Sequence, residues 1–239
     1  MHGEISRRRF GGAVAAGLGA AAASRALGAN DTVRLAFVGV GNRGRQLQRA
    51  FATHQDCRAV AFCDVYEPYL QRAKKDNGGR GDTVVDFRKL LDRKDIDALV
   101  VATPDHWHAI QTVEACRAGK DVYVEKPLSI TVREGRRMVE VARQTQRVVQ
   151  VGLHRRSSTL YARLAELVQG GGLGKVTVSR AYRLSNMWPD GIGKAEPGEP
   201  PAGLHWDLWL GPRPERPFRP TIAPYKFRWW RLYSSQVAN

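Results

Sequence analysis

The sequence predicts a doubly wound parallel α/β domain, followed by the opening of an α+β domain whose sheet is mostly antiparallel. Three observations predict it. Short apolar runs alternate with helical patterns from residue 33 to about residue 151, the pitch of a parallel sheet with helices on both faces. A glycine-rich loop separates the first strand from the first helix. After residue 185 the alternation gives way to a long stretch rich in Pro and Gly, which reads as loop. The expected boundaries are 1–29 for a leader, 30–153 for the α/β domain and 154–239 for the second, partial domain.

The leader comes first. Ser6-Arg7-Arg8-Arg9-Phe10 precedes a mild apolar run over residues 11–23, and Ala26-Leu27-Gly28 offers a small-residue exit. A charged start, an apolar middle and a small exit describe a secretory signal. The paired arginines before a phenylalanine resemble the twin-arginine type. The twin-arginine export machinery is therefore an expected partner and the bacterial periplasm an expected location. A short N-terminal helix is the other reading.

Val33–Val38 is β-branched and apolar, as a buried parallel strand should be. It runs straight into Gly39-Val40-Gly41-Asn42-Arg43-Gly44, after which Leu47, Ala50, Phe51 and His54 fall on one helical face. Between a strand and a helix, this spacing is the dinucleotide fingerprint of a Rossmann domain: one glycine for the turn, one for close approach of the pyrophosphate, one for helix–strand packing. The helix N-terminus adds unpaired N–H groups. Gly39, Gly41, Asn42, Arg43 and Gly44 are thus expected at the cofactor. A second strand, Ala59–Cys63, ends at Asp64, twenty residues after Gly44. An acid there accepts from the ribose hydroxyls and repels a 2′-phosphate, so NAD is expected rather than NADP. Arg43 and Arg72 would soften that preference.

The alternation continues with helices expected over 67–76, 105–118 and 132–145 and strands over 97–102, 122–124 and 148–151. Thr131 and Glu134 form a capping-box signature. Ligands of such sheets bind beyond the carboxyl ends of the strands, where two motifs fall. In Thr103-Pro104-Asp105-His106-Trp107-His108, Pro104 stops the strand, Asp105 suits a helix cap and His108 lies one turn in. The other reading is a helix-start cluster packed under a loop. In Glu125-Lys126-Pro127, Lys126 is placed to donate to a substrate hydroxyl and lower its pKa. The other reading is a solvated turn lysine.

These motifs, with Gln150-Val151-Gly152, occur in order at intervals that resemble the Gfo/Idh/MocA oxidoreductases, relatives of glucose–fructose oxidoreductase and inositol dehydrogenase. Trp206-Asp207-Leu208-Trp209-Leu210-Gly211-Pro212 is similar to the secreted branch of that family. The resemblance implies hydride transfer between a nicotinamide and a hydroxyl-bearing carbon of a sugar or polyol. It implies that Lys126 is catalytic, and that Thr103, Pro104, His108 and Glu125 lie along the cofactor. An NAD-dependent glycosidase of the same lineage and a non-catalytic NAD-binding fragment are the alternatives.

In the second domain a helix is expected over 157–169, with Leu160, Tyr161, Leu164 and Leu167 on one face, and a strand over Lys175–Leu184. One strand cannot bury a sheet face. The resemblance also implies a glycine-rich stretch and an Asp…His pair after the Arg-Trp segment. The sequence follows the pattern through Lys226-Phe227-Arg228-Trp229-Trp230 and then departs from it. Truncation or a frameshift near Leu232 is therefore expected. Homo-oligomers are expected only where the second domain is complete. Trp188, Trp206 and Trp209 either stack on a pyranose ring or anchor packing.

Net charge is +15, a value that raises the question of a polyanion partner. The leader carries four arginines and one glutamate, so its removal takes the charge from +15 to +12. The remaining basic residues are dispersed, and no nucleic-acid partner is expected. No apolar run reaches the length of a membrane span. Cys57, Cys63 and Cys116 have no metal-type spacing and are expected as small buried thiols; no metal is expected.

Overall fold

The structure, a computed structural model, describes residues 32–182 and 190–235. The expected leader and Trp188 lie outside the described residues. Six strands form one sheet: β1 (Val33–Val38), β2 (Cys57–Cys63), β3 (Asp82–Val84), β4 (Ala98–Val101), β5 (Asp121–Glu125) and β6 (Val149–Gly152), in the order β3-β2-β1-β4-β5-β6. Every pairing is parallel. The doubly wound expectation holds, and the order reverses between β1 and β4, where such sheets open a crevice.

A parallel sheet is covered on both faces, and β1 shows how the sequence provides for this. Its side chains alternate with period two. Ala36 and Val38 join Trp107, Val113, Met138 and Val141 on one side, whereas Leu35 and Phe37 join Leu47, Leu70 and Ala73 on the other. The first side is covered by α4 (Asp105–Arg117) and α5 (Val132–Thr145), the second by α1 (Asn42–Phe51) and α2 (Glu67–Asp76). Each fully buried large side chain contributes about 1.5–3 kcal/mol. The capping box forms as expected: Glu134 N donates to Thr131 Oγ1 at 3.2 Å and Thr131 N to Glu134 Oε2 at 3.1 Å.

Some details differ from the pattern. On α1, Leu47 is buried but Ala50 is exposed, as is His54 beyond the helix end, and Gln48 is buried in their place. Its Nε2 donates to Ala73 O at 2.8 Å, so α2 supplies the partner that lets an amide go inside. β3 and α3 (Arg88–Leu91) were not expected, because elements this short show no period.

Beyond β6 the departures are larger. The expected helix forms as α6 (Thr159–Gln169) after a 3₁₀ turn at His154–Ser157, but its apolar face stays exposed, Leu160 to 71%. The expected strand over Lys175–Leu184 does not form in residues 175–182, its described part, which are irregular and exposed. Extended backbone needs a paired neighbour, and none is present among the described residues. No second sheet exists among the described residues after β6. The segment from Gly198 onward lies on the first domain instead. The bridge Tyr66↔Leu204 holds it there, and Val65 and Tyr66 pack against its own core of Leu204, Trp209, Leu210, Phe218, Ile222 and Tyr233. Within the segment the bridge Gly198↔Phe218 and the short helix α7 (Trp206–Leu210) brace it. Trp206 and Trp209 stack on each other with centroids 4.9 Å apart, and Trp206 Nε1 donates to Arg216 O at 2.7 Å. Both tryptophans anchor packing.

Candidate functional site

A cleft of about 330 Å³ runs along the carboxyl ends of β1, β2, β4 and β5. It brings together Gly39, Gly41, Asn42, Arg43, Asp64, Thr103, Pro104, His108, Glu125 and Lys126. Gly44 stands behind the loop, as a packing glycine should. A Cβ there would lie 1.8 Å from Gly39 O. Gly39 has φ +82, and a Cβ on it would strike Thr103 N at 2.6 Å. A Cβ on Gly41 would meet only the ring edge of Tyr69, at 3.2 Å.

The start of α1 suits an anion. Its N-cap is Gly41, which offers no side-chain cap, and its first turn holds no acid. The first N–H groups of a helix have no partner within it, and the aligned dipoles give that end partial positive charge. A pyrophosphate fits the residues present.

Asp64 closes the neighbouring strand. Its carboxylate accepts from Val40 N at 2.8 Å and from Tyr66 N at 3.0 Å. Burial pushes its pKa up to about 6, against the pull of these backbone donors and of Arg72. Each oxygen keeps a free lone pair, so ribose hydroxyls can still donate to it. Arg72 donates to Val40 O at 2.7 Å and lies over the Tyr69 ring, 4.4 Å from its centroid.

After β4, Thr103 Oγ1 donates to Gln111 Oε1 at 2.8 Å. Pro104, not Asp105, is the N-cap of α4, and no side chain caps it. Asp105 turns inward and accepts from Ser234 Oγ at 2.5 Å. Burial raises its pKa, held back by that hydrogen bond and by the nearby charges of His108 and Lys126. His108 lines the cleft but is buried, with Nδ1 2.7 Å from Pro127 O and Nε2 2.9 Å from Thr103 O. Both nitrogens face backbone, so His108 clasps the Thr103 turn to the Lys126 turn. His106 and Trp107 follow the packing alternative: both are buried and both bond to Trp209 O, at 2.9 and 3.0 Å.

Lys126 is exposed at the end of β5. Among the described residues no side chain pairs with its Nζ. Glu125, just before it, is buried and receives Arg43, with Nε at 2.7 Å and Nη2 at 2.6 Å from Oε1. The two histidines that follow it in the chain have other neighbours, His154 Nδ1 3.5 Å from Arg43 Nη2 and His205 Nε2 3.1 Å from Glu67 Oε1.

The sequence reading missed Tyr66, Tyr69, Phe87 and Arg88, and from the far end of the chain Leu208, Tyr225, Phe227 and Arg228, all of which line the cleft. For Tyr66 and Tyr69 the signal is available, since they lie two and five residues after Asp64. For the distant residues nothing local gives it. Among the described residues no group of three or more His, Cys, Asp or Glu could hold a metal, and no helix is long and apolar enough to cross a membrane.

Residues 33–153 match the family described as an oxidoreductase family with an NAD-binding Rossmann fold (GFO_IDH_MocA). Among curated proteins the chain is similar to a glycosyl hydrolase family 109 protein of Shewanella putrefaciens, 36% identical over 126 residues, 49% of this chain and 27% of that protein. A protein of the same name from Shewanella baltica is 34% identical over 125 residues, with the same coverage. Among solved structures, the myo-inositol 2-dehydrogenase of Lactobacillus plantarum superposes with TM-score 0.58 at 28% identity, covering 61% of this chain and 43% of that one. The scyllo-inositol dehydrogenase of Lactobacillus casei, solved with NAD(H) and scyllo-inositol, gives TM-score 0.58 at 30% identity with the same coverage. The chain thus spans less than half the length of the proteins it resembles.

Proposed function

The chain belongs to the GFO_IDH_MocA oxidoreductase family with its NAD-binding Rossmann fold, and from that premise we propose an NAD-dependent sugar or polyol oxidoreductase. The observation that carries the reading is Lys126, exposed in the same cleft as the glycine loop and Asp64. Bound NAD supplies the hydride acceptor. The start of α1 holds the pyrophosphate and Asp64 accepts from the adenosine ribose. Lys126 donates to the substrate hydroxyl, and its charge eases loss of the hydroxyl proton to the solvent that reaches this exposed end of the cleft. The similarity to inositol dehydrogenases supports a polyol class of substrate. Export to the periplasm by the twin-arginine route is part of the same proposal and rests on residues 6–28 alone.

A second reading is an NAD-dependent glycosidase, favoured by the name that the Shewanella relatives carry. The deciding experiment offers the purified chain NAD with a panel of sugars and polyols, and separately with aryl glycosides. NADH formation that Lys126→Met lowers by about a hundredfold or more, with NADH affinity kept, supports the oxidoreductase. Nitrophenol release without net change in cofactor supports the glycosidase. NADH binding without either reaction leaves a binding module.

A further inference from the structure

We infer that Arg43 is a positioning residue that couples the dinucleotide loop to the Lys126 turn through Glu125. The inference rests on the NAD reading of the cleft. Arg43 stands in the first turn of α1, beyond β1, while Glu125 ends β5. With β4 between them, these ends are two strand spacings apart, about 10 Å. The arginine crosses that gap. Its Nε and Nη2 both lie on Glu125 Oε1, at 2.7 and 2.6 Å.

The receiving end cannot move freely. The Glu125 side chain is 4% exposed, against 34% for Arg43. A Cβ on Gly152 would lie 2.8 Å from Oε1, so β6 closes over the carboxylate, and Tyr123 OH stands 3.5 Å from the same oxygen. The other oxygen, Oε2, accepts the backbone N–H of Lys126 at 3.2 Å. A buried carboxylate stripped of its cation is left uncompensated and must move or take up a proton. Either response reaches the backbone that carries Lys126.

The guanidinium is also largely committed. Nη1 donates to Gln46 Oε1 at 3.0 Å, and Nη2 is 3.5 Å from His154 Nδ1. Its planar fork bonds the carboxylate and Gln46 at once, which a lysine ammonium on a flexible stem cannot reproduce. Arg43 therefore acts on the cofactor site through the shape of the loop, and on Lys126 through Glu125. A simple surface ion pair would do neither.

The test is a double-mutant cycle on the full 239-residue chain: R43M, E125Q and the double variant, with R43K beside them, each checked by a thermal melt. NADH affinity is read by nicotinamide fluorescence. Exposure of Lys126 is read as its rate of labelling by an amine-reactive reagent, mapped by mass spectrometry against the exposed Lys175. Each single variant should weaken NADH by about tenfold, with the double variant no weaker than the weaker single, the mark of a coupled pair. R43K should recover part of the affinity, and R43M should alter labelling of Lys126 but not of Lys175. Additive losses, or an R43M chain that binds NADH and labels as the unaltered chain does, overturn the inference and leave the NAD reading standing. Failure of the unaltered chain to bind NADH overturns both. Should E125Q not fold, R43M against R43K decides by the same two readouts.

Discussion

The backbone carbonyl of Trp209 accepts the Nε2–H of His106 at 2.9 Å, in a site where both residues are buried. The two are more than a hundred residues apart in sequence. The bond fastens the segment from Leu204 to Ser234 to the start of α4, next to the Thr103-Pro104 turn that lines the cleft. Trp107 Nε1 donates to the same oxygen, and Tyr233 packs its ring 5.2 Å from that of His106.

If that fastening is structural, truncating it has a large cost. Trp209→Ala should destabilise the chain by about 3–5 kcal/mol, the usual range for removing a large aromatic from a core. Urea unfolding followed by far-UV circular dichroism measures it. NADH affinity should fall as well, because Trp209 and Leu208 form part of the cleft wall. A loss under about 0.5 kcal/mol, the range of ordinary surface substitutions, would show that the segment is only loosely applied.

His106 makes the same junction sensitive to acid. Burial pushes its pKa down to about 4, aided by the charges of Arg213 and His108 and opposed by the hydrogen bond to Trp209 O. In the unfolded chain the ring titrates near 6.5. A depressed histidine costs stability as pH falls, here progressively from about 6.5 to about 4, by about 3 kcal/mol in total. Asp64, raised to about 6, works in the opposite sense: its protonation returns stability between about 6 and its unfolded value near 3.9. Comparison with His106→Gln cancels the aspartate contribution. The stability difference between the two chains should change by the histidine amount across that window; a difference independent of pH removes the buried-histidine account.

Most of the first domain could be read from residue order because its determinants are local. Val33–Val38, the glycine spacing, Asp64 and the Thr131 box each fix their own element, and period-two alternation in β1 decides which side chains meet which helix. What could not be read depends on distant partners. Nothing near Gln48 says that Ala73 O waits for its amide, nothing near His108 says that Pro127 O will take one of its nitrogens, and nothing near Tyr225 or Arg228 places them at the cleft. Residues 175–182, the described part of the expected Lys175–Leu184 strand, form none for the converse reason: the alternation is local, but a strand exists only beside another.

The glycine loop gives a graded prediction. Gly44→Ala puts a methyl carbon 1.8 Å from a backbone carbonyl oxygen, so the backbone of the loop or helix must shift, at a cost of about 3 kcal/mol or more. Gly41→Ala meets only the edge of a tyrosine ring at 3.2 Å, and it adds a methyl to the glycine loop that lines the cleft. Melting temperatures should therefore rank the unaltered chain above G41A and G41A above G44A. G41A should lose NADH affinity out of proportion to its loss of stability. Equal melting temperatures for the two variants would contradict the packing role assigned to Gly44.

Asp64 should make cofactor choice depend on pH. Above about 6 its carboxylate is charged, accepts from the ribose hydroxyls and repels a 2′-phosphate; below that value it is neutral and does neither as well. The ratio of NADPH to NADH dissociation constants should therefore be large at a pH of about 8 and shrink as pH falls through 6. A phosphate monoester also titrates near 6, and its own loss of charge would shrink the ratio in any protein. Asp64→Asn separates the two effects, because the cofactor titrates identically in both chains while the side chain does not. The unaltered protein should show the steeper change, and D64N a smaller ratio at high pH. Parallel curves for the two would mean that the preference for NAD comes from elsewhere in the cleft, with Arg72, stacked on Tyr69 beside the carboxylate, the next residue to substitute.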